Sequence, residues 1–451
     1  MKKLLFVATY FPPVASGGNA RQLRFLRYLP DFGWEPTVLT VRARGPVPDP
    51  EGVRILRPLT PGPDGAYALA RRASAAWRDL RAGGRADGGG AGRDGEGAGS
   101  GGEGVGSGGG GAPHYSPESL VTDDKRFSRR QDINRWLFVP DVYVGWIGPA
   151  ISAGLRLVRE EGFEAVVSSY PRASAHLVGA GISAHSGIPW LADYRDPWPT
   201  HQFLRYKTPL HERANFALES WALGHAAWAT AVNEPIADDL RRRYPRLAGR
   251  VAVIPNGYDR AEQPEPIALG DGFWFVHTGG LYSRGRQATD FLDALATLPA
   301  HVKVLFLGVE GPRIRAYAES IRIADRVRTE PFVPHTTALG YQRAADALLL
   351  ITGTARESLS SKIFEYLQCG RPIFAVTPPG TAAAALLDET GGGERAAPDR
   401  PLAGPLAAFV ERVTAGAVAP ADQALVDRFD GRTLTGRLAG YLEGISGDTR
   451  A

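Results

Sequence analysis

The sequence predicts an α/β protein built from two doubly wound, Rossmann-like domains that face a cleft. Three observations support this fold class. Short apolar, often β-branched runs alternate with longer segments of helical spacing, which is typical of parallel sheets covered by helices on both faces. With 451 residues, the chain is too long for one ordinary domain. The alternation restarts after IPNGYD, residues 254–259, which we interpret as a linker.

The first predicted domain covers residues 1–254. A helix is predicted over 19–32, after the first strand. Strands are predicted at LLFVATY (4–10), PTVLTV (36–41), AVVSSY (165–170), WLADY (190–194), WATAVN (228–233) and VAVIP (251–255).

The second predicted domain covers residues 255–432. Helices are predicted over 288–298 and 313–323, and the C-terminal segment 433–451 is expected to form a helix that packs back on the first domain. Strands are predicted at FWFVHTG (273–279), KVLFLG (303–308), RVRTEPFV (326–333), DALLLIT (346–352) and PIFAVT (372–377).

Residues 83–111 contain 17 glycines in 29 positions. Such a composition cannot bury enough apolar surface to offset the entropy of ordering the chain. We therefore predict a disordered insertion in the first domain and assign it no chemistry.

Charge and composition narrow the class of function. Lys and Arg total 52 and Asp and Glu 48, a formal charge of +4 that is dispersed along the chain, so no nucleic-acid partner is expected. The single cysteine, Cys369, excludes an intrachain disulfide. The short apolar N-terminal run is broken by Tyr10 and Pro12, and we interpret it as a strand rather than an export signal.

No apolar run approaches the roughly 20 residues that span a bilayer. We expect a cytoplasmic protein. Its pI of about 9.1 also permits weak peripheral contact with an anionic inner membrane face.

The stretch ESLSSKIFE begins at Glu357 and joins a predicted strand to a predicted helix. Backbone N–H groups from Ser360 and Ser361 to Lys362 are expected to hold a diphosphate, with Lys362 adding a positive charge. Glu365, one turn into the helix, suits two vicinal hydroxyls such as those of a ribose, and Glu357 faces the group beyond the phosphates. Taken singly, these residues also fit a helix N-terminus with nearby acids and a solvated lysine.

The pair Glu357 and Glu365, followed by YLQCGRPIFA, resembles the nucleotide-sugar signature of retaining glycosyltransferases of family four, the glycogen-synthase-like group with the GT-B fold. Further motifs occur in the order of that family: YFPPVASGGNAR, DYRDPW, VIPNGYD and HTGGLYSRGR. The resemblance implies a second domain that binds a UDP-, GDP- or other nucleotide sugar and a first domain that binds a hydroxyl acceptor. It also implies transfer with retention of the anomeric configuration and without a metal or other cofactor.

The resemblance implies roles for individual residues. Glu365 would contact the ribose and Glu357 the transferred sugar, while the backbone of Phe332 and Val333 would meet the base. Catalytic roles are assigned to Glu357, Lys362 and, because the family often places a histidine against the sugar, to His176 in SSYPRASAHL. A lone histidine is otherwise more often structural.

The stretch GGLYSRGR departs from the family pattern, in which an arginine and a lysine after the first strand grip the diphosphate. Gly279 and Gly280 are assigned to the donor site, but Gly280 stands where that arginine is expected. We expect Arg284 or Arg286 to supply the charge from a shifted position.

The first domain contains candidate cleft residues. Gly17 and Gly18 would let the backbone approach a ligand, and Asn19 would cap the following helix. A tight strand-to-helix turn explains the two glycines equally well.

Asp193, Arg195 and Asp196, in DYRDPW, form either an internal salt-bridge network or part of the acceptor site. Arg21, Arg24 and Arg27 share roughly one helix face, which either meets an anionic acceptor or, as is commoner, is solvated.

Two functional alternatives remain open. One is a nucleotide-sugar epimerase of the GT-B fold, which would need no acceptor. The other is a catalytically degenerate, nucleotide-sugar-binding scaffold, favoured by Gly280. A Rossmann dehydrogenase is disfavoured because the first turn lacks the G-x-G-x-x-G spacing. The aromatic segment WLFVPDVYVGWIG (136–148) is either an apolar acceptor wall or plain core.

Overall fold

The computed structural model describes residues 1–14, 19–45, 47–58, 138–201, 204, 206–281, 286–308 and 311–447. Gly17, Gly18, Arg284 and the predicted insertion 83–111 lie outside the described residues, and only the backbone of Arg286 is described. No helix in these ranges has the length and apolar character needed to span a bilayer.

The first half of the described chain forms a parallel sheet covered by helices. Its strands are β1 Lys2–Ala8, β2 Trp34–Thr40, β3 Arg54–Leu56, β4 Ala165–Ser169, β5 Trp190–Tyr194, β6 Trp228–Ala231 and β7 Val251–Val253. They are paired in the order β3-β2-β1-β4-β5-β6-β7. The helices are α1 Asn19–Tyr28, α2 Val144–Glu161, α3 Ala173–Ser186, α4 Pro209–Leu223 and α5 Glu234–Arg243, with 3-10 turns at Leu29–Phe32 and Pro245–Arg250.

The second half repeats this architecture. Its strands are β8 Phe273–Thr278, β9 Val302–Leu307, β10 Val327–Glu330, β11 Ala347–Ile351, β12 Ile373–Val376 and β13 Gly393–Ala396, paired in parallel in the order β10-β9-β8-β11-β12-β13. The helices are α6 Arg286–Ala296, α7 Gly311–Ser320, α8 His335–Ala344, α9 Lys362–Cys369, α10 Ala382–Thr390, α11 Ala403–Thr414, α12 Gln423–Val426 and α13 Gly431–Gly447, with 3-10 turns at Ala324–Arg326 and Asp427–Phe429.

Each sheet is buried on both faces because its strands alternate between two apolar cores. In β1, Leu5 faces one core and Phe6 the other. The last helix, α13, adds Leu434 and Leu438 to the core that contains Phe6 and packs against α1. Trp146, from the aromatic segment considered as an acceptor wall, is buried in the first core.

The linker after β7 is held by α1. Arg21 Nη1 donates to Pro255 O at 2.5 Å and Arg24 Nη2 to Asn256 O at 2.6 Å. Both arginines are buried, so the solvated helix face expected for them is wrong. Gly257 has a φ of +69° and a Cβ there would overlap the carbonyl of Phe429, so glycine is required where the linker passes the start of α13.

Candidate functional site

The carboxyl ends of the two sheets face each other. Asn233, which follows β6, donates from Nδ2 to the carbonyl oxygen of Glu357, in the loop after β11, at 2.9 Å. In each sheet the strand order reverses once, between β1 and β4 and between β8 and β11. Such switch points are where doubly wound sheets bind ligands, and here both lie on the facing edges.

The second switch point contains the start of α9. Lys362 is the first residue of the helix and is buried, while Ser360 and Ser361 in the preceding turn are partly buried. The carbonyls of both serines accept from the first turn of the helix at 3.2 Å. The strand-to-helix turn predicted for ESLSSKIFE is therefore observed, and its lysine is buried rather than solvated.

Lys362 is paired with a neutral histidine. Its Nζ lies 3.4 Å from Nε2 of His277, a fully buried residue of β8 whose Nδ1 is 2.9 Å from the Leu349 carbonyl. A histidine that donates from Nδ1 to this carbonyl presents the lone pair of Nε2 to the ammonium. Burial, and then Lys362 itself, lower the pKa of His277 well below its usual value. The imidazole is therefore neutral and accepts a hydrogen bond from the ammonium of Lys362.

The ammonium of Lys362 lies beneath the turn that follows β8. A Cβ added to Gly279 would be 3.4 Å from Lys362 Nζ, and Gly279 has a φ of +80°. Gly280 follows in the same turn and is partly buried. Within the described residues, Lys362 is thus a cation placed beside the turn that lacks the arginine of the family pattern.

Glu365 is held by an imidazole. His335 Nε2 lies 3.1 Å from Glu365 Oε1, and His335 Nδ1 lies 3.2 Å from Oε2 of Glu262, near the linker. The hydrogen bonds to Glu262 and then Glu365 raise the pKa of His335 to about 10. Burial acts to raise the pKa of Glu365, but His335 and Arg24 outweigh it and the net shift is downward. An imidazolium therefore lies between two carboxylates.

Phe332 and Val333 follow β10 on the same edge of the second sheet. The side chain of Phe332 is 78% exposed, which is unusual for a large apolar residue. Its ring is available to a planar ligand, although the prediction concerned the backbone here.

His176 lies inside α3 and is fully enclosed in the first core. Ser168 Oγ lies 2.7 Å from its Nδ1, and its ring centroid is 4.6 Å from that of Tyr194. Burial lowers the pKa of His176 to about 3. His176 has no exposed surface in this structure, and the sugar contact assigned to it stays a prediction.

Asp193 belongs to a buried network. It is fully buried and accepts from Arg21 at 2.7 and 3.2 Å, from Ser169 at 3.0 Å and from Thr230 at 2.9 Å. Burial acts to raise the pKa of Asp193, but Arg21 outweighs it and the net shift is downward. The internal-network alternative therefore describes Asp193.

The other candidates of the first domain follow the carboxyl ends of β5 and β1. Arg195 is partly buried, and Asp196, whose side chain is 41% exposed, has an oxygen 3.9 Å from His201 Nε2. Asn19 begins α1 and donates from Nδ2 to Val14 O at 2.6 Å, while its buried Oδ1 has no partner among the described residues. No group of three or more His, Cys, Asp and Glu side chains in the described ranges is arranged to hold a metal ion.

Comparison with known proteins agrees with the sequence motifs. Residues 112–262 match the family model described as Glycosyltransferase Family 4. No curated protein sequence gives a significant match.

Several solved structures resemble the whole chain. Anabaena HepE in complex with UDP is 16% identical, with a TM-score of 0.60 over 98% of this chain and 100% of that one. Sucrose-phosphate synthase from Thermosynechococcus elongatus is 16% identical, with a TM-score of 0.58 over 100% and 97%. WaaG, a glycosyltransferase involved in lipopolysaccharide biosynthesis, is 13% identical, with a TM-score of 0.57 over 98% and 100%. The predicted resemblance to family-four glycosyltransferases and the predicted GT-B fold are confirmed.

Proposed function

We propose that the chain is a glycosyltransferase that moves a sugar from a nucleoside diphosphate to an acceptor hydroxyl, with retention of configuration and without a metal ion. The observation that carries the proposal is the position of Lys362. Its ammonium lies at the switch point of the second sheet, beside Gly279, on the edge that faces the first sheet. A fixed cation at this position suits a diphosphate leaving group.

The remaining groups complete a donor site. Cleavage of the bond between the sugar and the diphosphate develops negative charge on the phosphate oxygens, which Lys362 and the N-terminus of α9 would stabilise. Glu365 would accept hydrogen bonds from the ribose hydroxyls, and Glu357 would face the sugar. The exposed ring of Phe332 would offer the base a surface on which to stack.

HepE suggests the first donors to test, because structures of that protein contain UDP and UDP-glucose. The full chain would be incubated with UDP- and GDP-sugars, alone and with a panel of hydroxyl acceptors. Release of nucleoside diphosphate, and the anomeric configuration of the product by NMR, are the measurements. Acceptor-dependent release with a retained anomer is expected, and Glu357→Gln should reduce it sharply while preserving UDP binding.

The same assay separates the alternatives. A changed sugar with donor alone would identify an epimerase instead. Donor binding without turnover on any acceptor would favour a scaffold. Contact with a membrane stays a prediction, for which vesicle sedimentation is the direct measurement.

A further inference from the structure

The switch point of the first sheet lies between the carboxyl ends of β1 and β4, where the strand order reverses. Thr9, directly after β1, accepts the backbone N–H of Arg172 at 3.0 Å and donates to the carbonyl of Pro171 at 3.2 Å. Arg172 follows β4 and precedes α3. Its position in the first sheet corresponds to that of the turn before α9 in the second, because β4 and β11 occupy the same place in the two strand orders.

The guanidinium of Arg172 has an aromatic neighbour but no polar partner among the residues that the structure describes. Its central carbon lies 5.3 Å from the ring centroid of Tyr10, and the ring of Tyr143 meets Tyr10 edge-on at 6.4 Å. Nε of Arg172 is buried and has no hydrogen-bond partner in the described ranges. Within the described residues the guanidinium forms no ion pair. An arginine stays charged at any accessible pH, so its donors are available to a ligand.

The carboxylate of Asp141, which interacts electrostatically with Arg172, already accepts other hydrogen bonds. Asp141 accepts from the backbone N–H of Tyr143 at 2.8 Å, and from the backbone N–H and Oγ of Ser174 at 2.9 and 2.7 Å. Its carboxylate therefore accepts hydrogen bonds from Ser174 in the first turn of α3. It makes no hydrogen bond to the guanidinium of Arg172 among the described contacts. A buried donor without a partner costs free energy, which a bound oxyanion would recover.

We propose that Arg172 binds an oxyanion of the acceptor, so that the acceptor is a hydroxyl compound carrying a carboxylate or a phosphate. This inference rests on the proposed function, because it places the acceptor at one switch point and the donor diphosphate at the other. The planar fork of arginine matches both oxyanions in bidentate geometry. The ring of Tyr10 lies next to the guanidinium and stabilises its charge by a cation–π contact.

Binding of small sugars to the full chain tests the proposal. Glucose, glucuronate and glucose 6-phosphate share a ring and differ in charge, and inorganic phosphate reports an anion without a sugar. Ligand-observed NMR titration, with UDP present, is expected to show at least one anionic sugar binding about tenfold more tightly than glucose. Preference for glucuronate or for glucose 6-phosphate identifies the carboxylate or the phosphate as the recognised group.

Variants localise the effect. Arg172→Gln should remove the preference for an anionic sugar over glucose. Arg172→Lys should keep part of this preference, because it retains the positive charge but not the planar guanidinium. The exposed control Arg246→Gln should keep all of it. If Arg172→Gln does not fold, the Lys variant alone decides, since an unreduced preference in it contradicts bidentate binding. Equal binding of glucose and both anionic sugars, or inorganic phosphate binding as tightly as the sugar phosphate, would overturn the proposal.

A parallel UDP titration keeps the two proposals separate. UDP binding without a preference for anionic sugars removes the Arg172 subsite and leaves the proposed glycosyltransferase in place. Absence of UDP binding counts against the donor site itself.

Discussion

His335 Nε2 lies 3.1 Å from Glu365 Oε1, so an imidazole holds the carboxylate that we assign to the ribose. The other ring nitrogen pairs with Glu262, whose backbone N–H donates to Asp259 in the segment that leaves the linker. Because one ring makes both contacts, His335 connects the proposed nucleotide site to the linker segment. The sequence did not single out His335.

Replacement of His335 by glutamine should weaken nucleotide binding. The variant loses the charged partner that orients Glu365, and loss of one hydrogen bond to a charged group corresponds to about tenfold in affinity. Calorimetric titration with UDP is the measurement. His301→Gln, in the exposed turn before β9, is the matched control and should bind like wild type. Unchanged affinity in His335→Gln would show that Glu365 is oriented without it.

The same pair should give stability a defined pH dependence. The pKa of His335 rises from 6.5 to about 10, through Glu262 and then Glu365. A group with a raised pKa contributes fully below its unfolded value and loses that contribution as pH rises through its folded value. The stability difference between wild type and His335→Gln should therefore be largest at about pH 6 and shrink towards pH 10.

Denaturant unfolding at several pH values measures this difference. Its size will be modest, because the His335 side chain is 42% exposed and solvent screens the pair. Glu365, whose pKa is lowered, stays ionised throughout the range. A difference that grows with pH would contradict the assignment.

Lys362→Met should reduce turnover far more than it reduces UDP affinity. The methionine fills the buried space but removes the charge beside Gly279, and loss of one preorganised group of this kind costs about 100-fold or more in turnover. Steady-state kinetics at saturating donor is the measurement. Lys303→Met, at the amino end of β9 on the opposite edge of the sheet, is the control. An equal loss in both variants would exclude a specific role for Lys362.

Asn233 offers a test of the contact across the cleft. Its Oδ1 caps α5 through the N–H of Ile236 at 3.1 Å, while its Nδ2 donates to Glu357 O. Asn233→Asp retains the cap but loses the donor, so stability should be close to wild type and turnover lower. Asn233→Ala should lose both, with about 1 kcal/mol of stability lost through the cap. Wild-type turnover in Asn233→Asp would show that the contact does not position Glu357.

Much of the fold was predictable because central strands such as β1 and β11 are buried on both faces. Such strands consist of nearly uninterrupted apolar residues, which are easy to recognise in a sequence. The edge strands β3 and β13 were missed, since RIL and GERA are short and partly polar. The strand-to-helix turn before Lys362 was also predictable from the pattern.

The partners of the site residues were not predictable from local pattern. His277 reaches Lys362 from 85 positions away, and Arg21 reaches Pro255 from 234. The helical spacing of Arg21 and Arg24 shows that they share a face, but it does not show that a linker covers that face. No sequence pattern predicts a ligand-binding role for Arg172, because that role follows from its place at the switch point of the folded sheet.

Loss of one partner from the buried pair of Asp193 and Arg21 should strongly destabilise the first domain. Asp193→Asn leaves Arg21 charged and without its carboxylate in a fully buried position, which typically costs about 3–5 kcal/mol. Asp196→Asn, in the same DYRDPW motif but with a partly exposed side chain, should change the free energy of unfolding by less than about 0.5 kcal/mol. Chemical denaturation of both variants is the measurement. If Asp193→Asn keeps wild-type stability and instead loses acceptor binding, the acceptor-site alternative for this residue is correct.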